Sequence, residues 1–360
     1  MTSLLPKSFE WVARLKKYEG NPILRPNANS CAKDAVFNPA ATVKDGKVHM
    51  LCRCIDFSRE AATKNNWSVS TFGWATSEDG FNFTMSPEPV PEFNPGPDSP
   101  FQGGFEDPRL VKIGDEWLLT YTGVYREPSG RFNVMTPGLA ALSKDLVHWE
   151  FLGEILPSRA IAVTPEKING KYWAYYDNWC LRLAWSEDLR TWHLLDEPAL
   201  TQRPGKFDEC LCESVAAPLI SDDGILLLYN GDAGERRAEE LARTASPHYL
   251  PLHPKMFYSI GWALFDRNDP TRLIARCDEP VIVPDHLYEF YGVADFTCSP
   301  PVLLNSRENT FCTTAAPTCA SPPLTRNNPP PALRAEKAPK LQSVYANSAS
   351  LKNAPETRCS

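Results

Sequence analysis

No stretch of this chain reaches the apolar length that a bilayer-spanning helix needs. Residues 1–20 carry Lys7, Glu10, Arg14, Lys16 and Lys17, with no apolar run of signal-peptide length. We therefore expect a soluble, cytoplasmic protein with no membrane partner. No CxxC pair occurs, and the 6 histidines are scattered without ligand spacing, so no metal site is expected. GxSxG and Walker A motifs are missing too, and nothing else in the sequence calls for an organic cofactor. Positive charge is in deficit: 37 Lys and Arg face 44 Asp and Glu, for a net charge of -7. Binding a phosphate backbone requires a basic face, so nucleic acid is not an expected partner.

What is present begins with 11 cysteines, an odd number, which we expect to be mostly reduced. Cys52 and Cys54 stand one residue apart, as do Cys210 and Cys212, and residues so spaced share a face if the segment is a strand. The 10 Trp and 12 Tyr residues are many for this length. Their rings stack on sugars as readily as they pack in cores.

The chain repeats itself. One unit couples a polar turn to an apolar run and occurs at 43–53, 113–122, 168–176 and 222–230. Each copy places Asp, Asn or Gly before a strand-like segment, which is the chemistry of a hairpin. A second unit follows: Ser77-Glu78-Asp79, Ser143-Lys144-Asp145, Ser186-Glu187-Asp188, and a degenerate copy around Asp266. Short polar side chains bond nearby backbone groups, so these are expected to cap turns between strands. Ser143 and Ser186 stand 43 residues apart, a spacing that suits a four-stranded propeller blade. Ala233–Arg243 reads as a short exposed helix between strands. From about residue 305 the chain turns rich in Pro, Ser, Thr, Asn and Ala. Such a composition buries too little apolar surface to offset ordering entropy, so 305–360 is expected to be disordered. A propeller domain is expected over 1–304.

Three clusters carry possible chemistry. Gly103-Gly104-Phe105-Glu106-Asp107-Pro108-Arg109 sets adjacent carboxylates beside an arginine, an arrangement that separates acid and base roles when the two environments differ. A structural turn with an acid paired to Arg109 would look the same. Asn38 after Phe37, with Arg53 and Asp56 beyond the next strand, supplies mixed donors and acceptors for a sugar; turn capping and a surface ion pair are the plainer reading. In Phe207-Asp208-Glu209-Cys210-Leu211-Cys212-Glu213, Asp208 and Glu209 read as a solvated turn, while Glu213 precedes an apolar run and points toward a central cavity.

The segments FNPAATVKDGKVHML, GGFEDPRLV, EKINGKYW, FDECLCES and DDGILLLYNGD, in that order between about Gly20 and Ala294, resemble glycoside hydrolase family 130, the β-mannoside phosphorylases and β-mannosidases. The resemblance implies an all-β, five-bladed β-propeller with its site in the central depression. It implies that Asp107 is the general acid, that Asn38, Arg53 and Asp56 hold the transferred sugar, that Arg109 supports the Glu106–Asp107 pair, and that the reaction inverts the anomeric centre. Phosphorylases of the family usually carry a His-Arg pair just after the NGKYW run; here Asp177 and Asn178 stand there. Glu213 matches one of two glutamates proposed as the hydrolytic base, and Asn178 takes the place of the other, with Asp177 beside it. The leading expectation is thus an inverting hydrolase of β-mannosides using Asp107 and Glu213. The alternatives are a phosphorylase binding inorganic phosphate, through Arg126, Lys167 or Arg182, and a non-catalytic sugar- or protein-binding propeller. The strands that complete the family's last blade are replaced after Cys298 by the Pro-rich tail, so that blade is expected to be divergent or incomplete.

Overall fold

The computed structural model describes residues 5–58, 69–96, 98–125, 136–234, 256–290, 302–306 and 309–313. Its strands build a five-bladed β-propeller. The first strand, β1 (Lys16–Lys17), belongs to the last blade. Blade 1 comprises β2 (Ala35–Lys44), β3 (Lys47–Ile55), β4 (Ser70–Ser77) and β5 (Thr84–Met85). Blade 2 comprises β6 (Gly104–Ile113), β7 (Glu116–Val124), β8 (Gly138–Ser143) and β9 (Glu150–Leu156). Blade 3 comprises β10 (Ala162–Val163), β11 (Tyr172–Tyr176), β12 (Arg182–Ser186) and β13 (His193–Leu194). In blade 4 the inner strand is interrupted, as β14 (Leu211–Ser214) and β15 (Leu219–Ser221), and is followed by β16 (Gly224–Asp232), β17 (Tyr258–Phe265) and β18 (Leu273–Arg276).

The expected turns fall where the repeats place them. Asp45–Gly46 and Asn169–Gly170 join the first two strands of blades 1 and 3, both residues of each pair having positive φ, as a tight hairpin requires. Gly114–Asp115 and Asp222–Asp223 do the same in blades 2 and 4. The serine units close the third strand of each of the first three blades. Ser77, Ser143 and Ser186 Oγ each accept from the N–H three residues on, at 2.9, 2.8 and 2.9 Å. Asp79, Asp145 and Asp188 each accept from two backbone N–H groups of the same turn. Asp266 repeats the arrangement in blade 4, accepting from the N–H of Asn268 and of Asp269.

Apolar cores lie between blades. Leu51 and Phe72 of blade 1 pack with Phe105, Leu119 and Tyr121 of blade 2. Leu118 and Ala140 of blade 2 pack with Val163, Ala174 and Tyr176 of blade 3. Blade 4 shares its core with blade 3 and with Leu5, Phe9 and Val12 of the amino-terminal segment. Cys52 and Cys54 do share a buried face, within the blade 1 core that also holds Cys31. Cys210 and Cys212 do not: Cys210 precedes β14 and is exposed, while Cys212 is buried. Six of the described cysteines are free thiols and Cys180 is disulfide-bonded, which agrees with the expectation of mostly reduced thiols.

Blades 1 and 2 merge into one sheet through a single parallel bridge between Ser70 and Gly104. Gly104 sits at φ +92°, and a Cβ there would lie 2.0 Å from the Ser70 carbonyl oxygen, a backbone atom with nowhere to go. We expect Gly104→Ala to lose about 2–3 kcal/mol of stability, read as a lower denaturation midpoint.

The fifth blade pairs β19 (Val302–Ser306) with β20 (Asn309–Thr313), and β1 adds to β20 in parallel, so the amino-terminal segment contributes to the closing blade. This hairpin runs across the boundary expected at residue 304, and the compact unit spans Met1–Ala320. The rest of the expected tail, and most of the expected helix at 233–243, lie outside the described residues. No helix among the described residues is long and apolar enough to cross a membrane.

Candidate active site

The site forms where the inner strands begin, at the end of the ring opposite the hairpin turns. The pairing of β2 with β3 skips Asn38–Pro39, and that of β6 with β7 skips Asp107–Pro108. Each skip is a bulge, which re-aims a side chain. Asn38 (φ +45°) and Asp107 (φ +52°) both take the left-handed conformation, which Asn and Asp tolerate best among residues with a Cβ. Asn38 Nδ2 thereby donates to Asp107 Oδ1 at 2.7 Å. Blade 3 repeats the twist at Ala160 (φ +62°), immediately after Arg159.

Charges alternate around this point. Arg53 Nη1 donates to Asp107 Oδ1 at 3.0 Å, and its Nη2 to Glu106 Oε1 at 2.5 Å. Phe37 stacks under the Arg53 guanidinium, 4.7 Å from ring centre to Cζ. Arg159 Nη2 bonds Asp107 Oδ2 and lies 3.1 Å from Glu106 Oε2. Arg109 Nη1 donates to the Asp107 carbonyl at 3.0 Å and its Nη2 to the Ser214 carbonyl at 2.5 Å, with Glu213 Oε1 3.6 Å away. Three carboxylates thus interleave with three guanidiniums drawn from blades 1 to 4. Buried charges persist only when paired in this way. Arg109 and Arg159 each keep a buried Nε without a partner. Asn230, directly opposite Glu213 in the sheet, has an unpartnered buried Oδ1.

The carboxyls are tuned in opposite directions. Burial works to raise the Asp107 pKa, but the Arg159, Arg53 and Arg109 guanidiniums and the Asn38 bond outweigh it and hold the carboxyl well below its usual range. Glu213 goes the other way: burial lifts it, and Arg159 and Arg109 only partly oppose that. Burial depresses Arg159, but Asp107, Glu106 and Glu213 more than restore it, so its charge is secure. Unequal surroundings of this kind can separate proton-transfer roles, and structural ion-pair networks shift carboxyls in the same way.

Of the expected residues, Asn38, Arg53, Glu106, Asp107, Arg109 and Glu213 come together. Asp177, at φ +84°, borders them: its N–H donates to the Arg159 carbonyl at 2.8 Å, and Asn178 N–H donates to Asp177 Oδ1 at 2.7 Å. Arg182 Nε reaches Asp177 Oδ2 at 3.5 Å. Asp56 bonds Lys33 at 2.7 Å and its own turn at Ser58, not the Asp107 cluster. Lys167 belongs to the opposite end of the ring, beside the Asn169–Gly170 hairpin in a cavity with Asn169, Asp222 and Arg267. Arg126 lies outside the described residues. Asp208 is no solvated turn residue: it is fully buried, bonded by Arg203, Arg276 and Tyr229. Arg159 joins this cluster without being among the expected residues. Its signal is positional, one residue ahead of the blade 3 twist, just as Glu106 precedes Asp107.

Acids and guanidiniums gathered at the axis of a propeller offer a polar ligand paired donors, acceptors and ionisable groups. The sequence profile of glycoside hydrolase family 130, described as beta-1,4-mannooligosaccharide phosphorylase, matches residues 6–310, and this chain belongs to that family of enzymes acting on mannosides. The match runs past the boundary expected at 304. A 1,2-beta-oligomannan phosphorylase of Thermoanaerobacter sp. (strain X514) is 32% identical over 286 residues, covering 78% of this chain and 86% of that protein. A beta-1,2-mannobiose phosphorylase of the same organism is 28% identical over 299 residues, covering 79% and 89%. A solved structure superposes with a TM-score of 0.67 at 28% identity, covering 79% of this chain and 85% of its own; it is described by the statement that the family of mannoside phosphorylases contains glycoside hydrolases that target beta-1,2 mannosidic linkages in Candida mannan.

Proposed function

We propose that this chain is an inverting β-1,2-mannoside phosphorylase. The observation that carries the reading is the pair of guanidiniums flanking the Asp107 acid, buried Arg109 and half-buried Arg159, each with a buried, unpartnered Nε. The similarity to curated phosphorylases supports it. This order reverses the one expected from the sequence, where the lack of a basic residue at Asp177–Asn178 spoke for hydrolysis. Arg159 supplies from blade 3 a cation that the motif comparison did not count.

In this reading Asn38 and Arg53 hold the terminal mannose. Phosphate, held at Arg159, attacks C1 from the face opposite the leaving oxygen. The C1–O bond breaks, Asp107 gives its proton to that oxygen, and α-mannose 1-phosphate leaves with the shortened saccharide. In the resting site Asp107 is ionised. A dihydrogen phosphate that draws the Arg159 charge to itself raises the Asp107 pKa and hands Asp107 a proton, which Asp107 then gives to the leaving oxygen while the phosphate dianion attacks C1.

A second reading, hydrolysis, is favoured by Glu213. Its raised pKa suits a base that takes a proton from water, as an inverting hydrolase requires. The two part cleanly on phosphate dependence. With β-1,2-mannobiose we expect mannose 1-phosphate when inorganic phosphate is present and no product without it. Free mannose released without phosphate assigns the hydrolase; a folded protein that yields neither is a binding propeller.

A further inference from the structure

The second and third strands of blade 3 are joined at the site end of the ring by residues 177–181, and this short connection carries Trp179. Its side chain is 65% exposed, the most exposed large hydrophobic among the described residues. A single exposed apolar residue is ordinary by itself. This one is held on a fixed frame. Ser158 Oγ and the Asn178 N–H both donate to Asp177 Oδ1, at 2.9 and 2.7 Å. The Asp177 N–H reaches back to the Arg159 carbonyl at 2.8 Å. The Trp179 carbonyl accepts from the Cys212 N–H at 3.0 Å, one residue before Glu213, and the Leu181 N–H donates to the Leu200 carbonyl at 2.9 Å. The turn is therefore fastened to the residues beside both Arg159 and Glu213 while the indole stands in water.

We infer that Trp179 is the platform for the sugar on the leaving-group side, and so a determinant of acceptor recognition; this rests on the mannoside-transfer reading above. The transferred mannose must sit where Asp107, Asn38 and Arg53 converge, with Asp107 buried and Asn38 and Arg53 half-buried. The oxygen that Asp107 protonates belongs to the next sugar, which runs outward to the rim. There it meets a flat apolar face of the kind that covers the C–H side of a pyranose. Because the turn is already ordered, binding gives up little conformational freedom.

The test is synthesis from mannose 1-phosphate and a mannose acceptor, with KM measured separately for each substrate. Trp179→Ala should raise the acceptor KM about tenfold, the scale of one aromatic contact. The mannose 1-phosphate KM and kcat should stay within about twofold of the parent, and Trp179→Phe should recover most of the loss. An acceptor KM unchanged in Trp179→Ala, or both KM values raised alike, overturns the inference. If the parent transfers no mannose, the functional reading has failed separately, and binding decides. Calorimetric titration of a β-1,2-mannooligosaccharide into Asp107→Asn, with and without Trp179→Ala, should show about tenfold weaker binding in the double variant. Equal affinity, or no binding to either, overturns the inference as well.

Discussion

Asp107→Asn should lower kcat on mannobiose by about 10²–10⁴, the range spanned by loss of a positioned proton donor. The amide still accepts from Asn38 at the oxygen position, so the substrate KM should move little. It has no proton to give and no charge to set against Arg53 and Arg159. A nitrophenyl β-mannoside supplies the discriminating measurement, because its phenolate leaves without a proton. On that substrate the variant should lose far less than on mannobiose. A uniform loss on both would mean that Asp107 holds the site in shape and is not the acid. The variant should also be less stable by about 1–3 kcal/mol, since two half-buried guanidiniums, Arg53 and Arg159, lose an ionised partner. Denaturant titration separates that cost from the catalytic one.

Arg159→Gln should have the next largest effect, about 10²–10³ in kcat/KM for phosphorolysis, comparable to removing one preorganised charge from a transition-state site. Its second signature is a shift along the pH axis. Arg159 is the foremost cation holding the Asp107 carboxyl below its usual range against the pull of burial. Without it the Asp107 pKa must rise. The acid acts in its protonated form, so activity declines as pH rises through that pKa, and a higher pKa moves the declining limb toward alkaline pH. The profile of kcat/KM against pH reports the free enzyme and is the one to measure. A drop in amplitude with no displacement of the limb would make Arg159 a structural support only. Phosphate KM should rise in the same variant; if it does not, the proposed phosphate position is wrong.

Much of the ring was legible because propeller turns are local. Asp45–Gly46, Asn169–Gly170 and the Ser-x-Asp units announce themselves within a few residues, and each is found joining the expected strands. Asp107 was legible because its neighbours Gly104 and Pro108 mark an unusual backbone. What escaped notice depends on distant partners. Asp208 and Glu209 look like a wet turn, yet Arg276 and Tyr229, far along the chain, enclose Asp208. Arg159 stands among Pro157, Ser158 and Ala160 with no carboxylate nearby in sequence; its acids come from blade 2. Asp56 differs for the converse reason. It follows β3 at the right place but is taken by Lys33. Lys17, too, is bound across the chain, to Asp285 and Glu289 at 2.7 Å, and nothing near it in sequence announces an amino-terminal strand in the last blade.

Asn38–Pro39 and Asp107–Pro108 are the same bulge in adjacent blades. A blade duplicated with that bulge is born with a side chain already facing the axis. Where the copy keeps an amide, it offers the axis a neutral donor and acceptor. Exchange the amide nitrogen for oxygen, a change within reach of a single nucleotide, and the same position carries an ionisable carboxyl. In such a lineage a charged group can arise at the axis as a mutated sibling of a neutral one, with both still aimed by the same backbone.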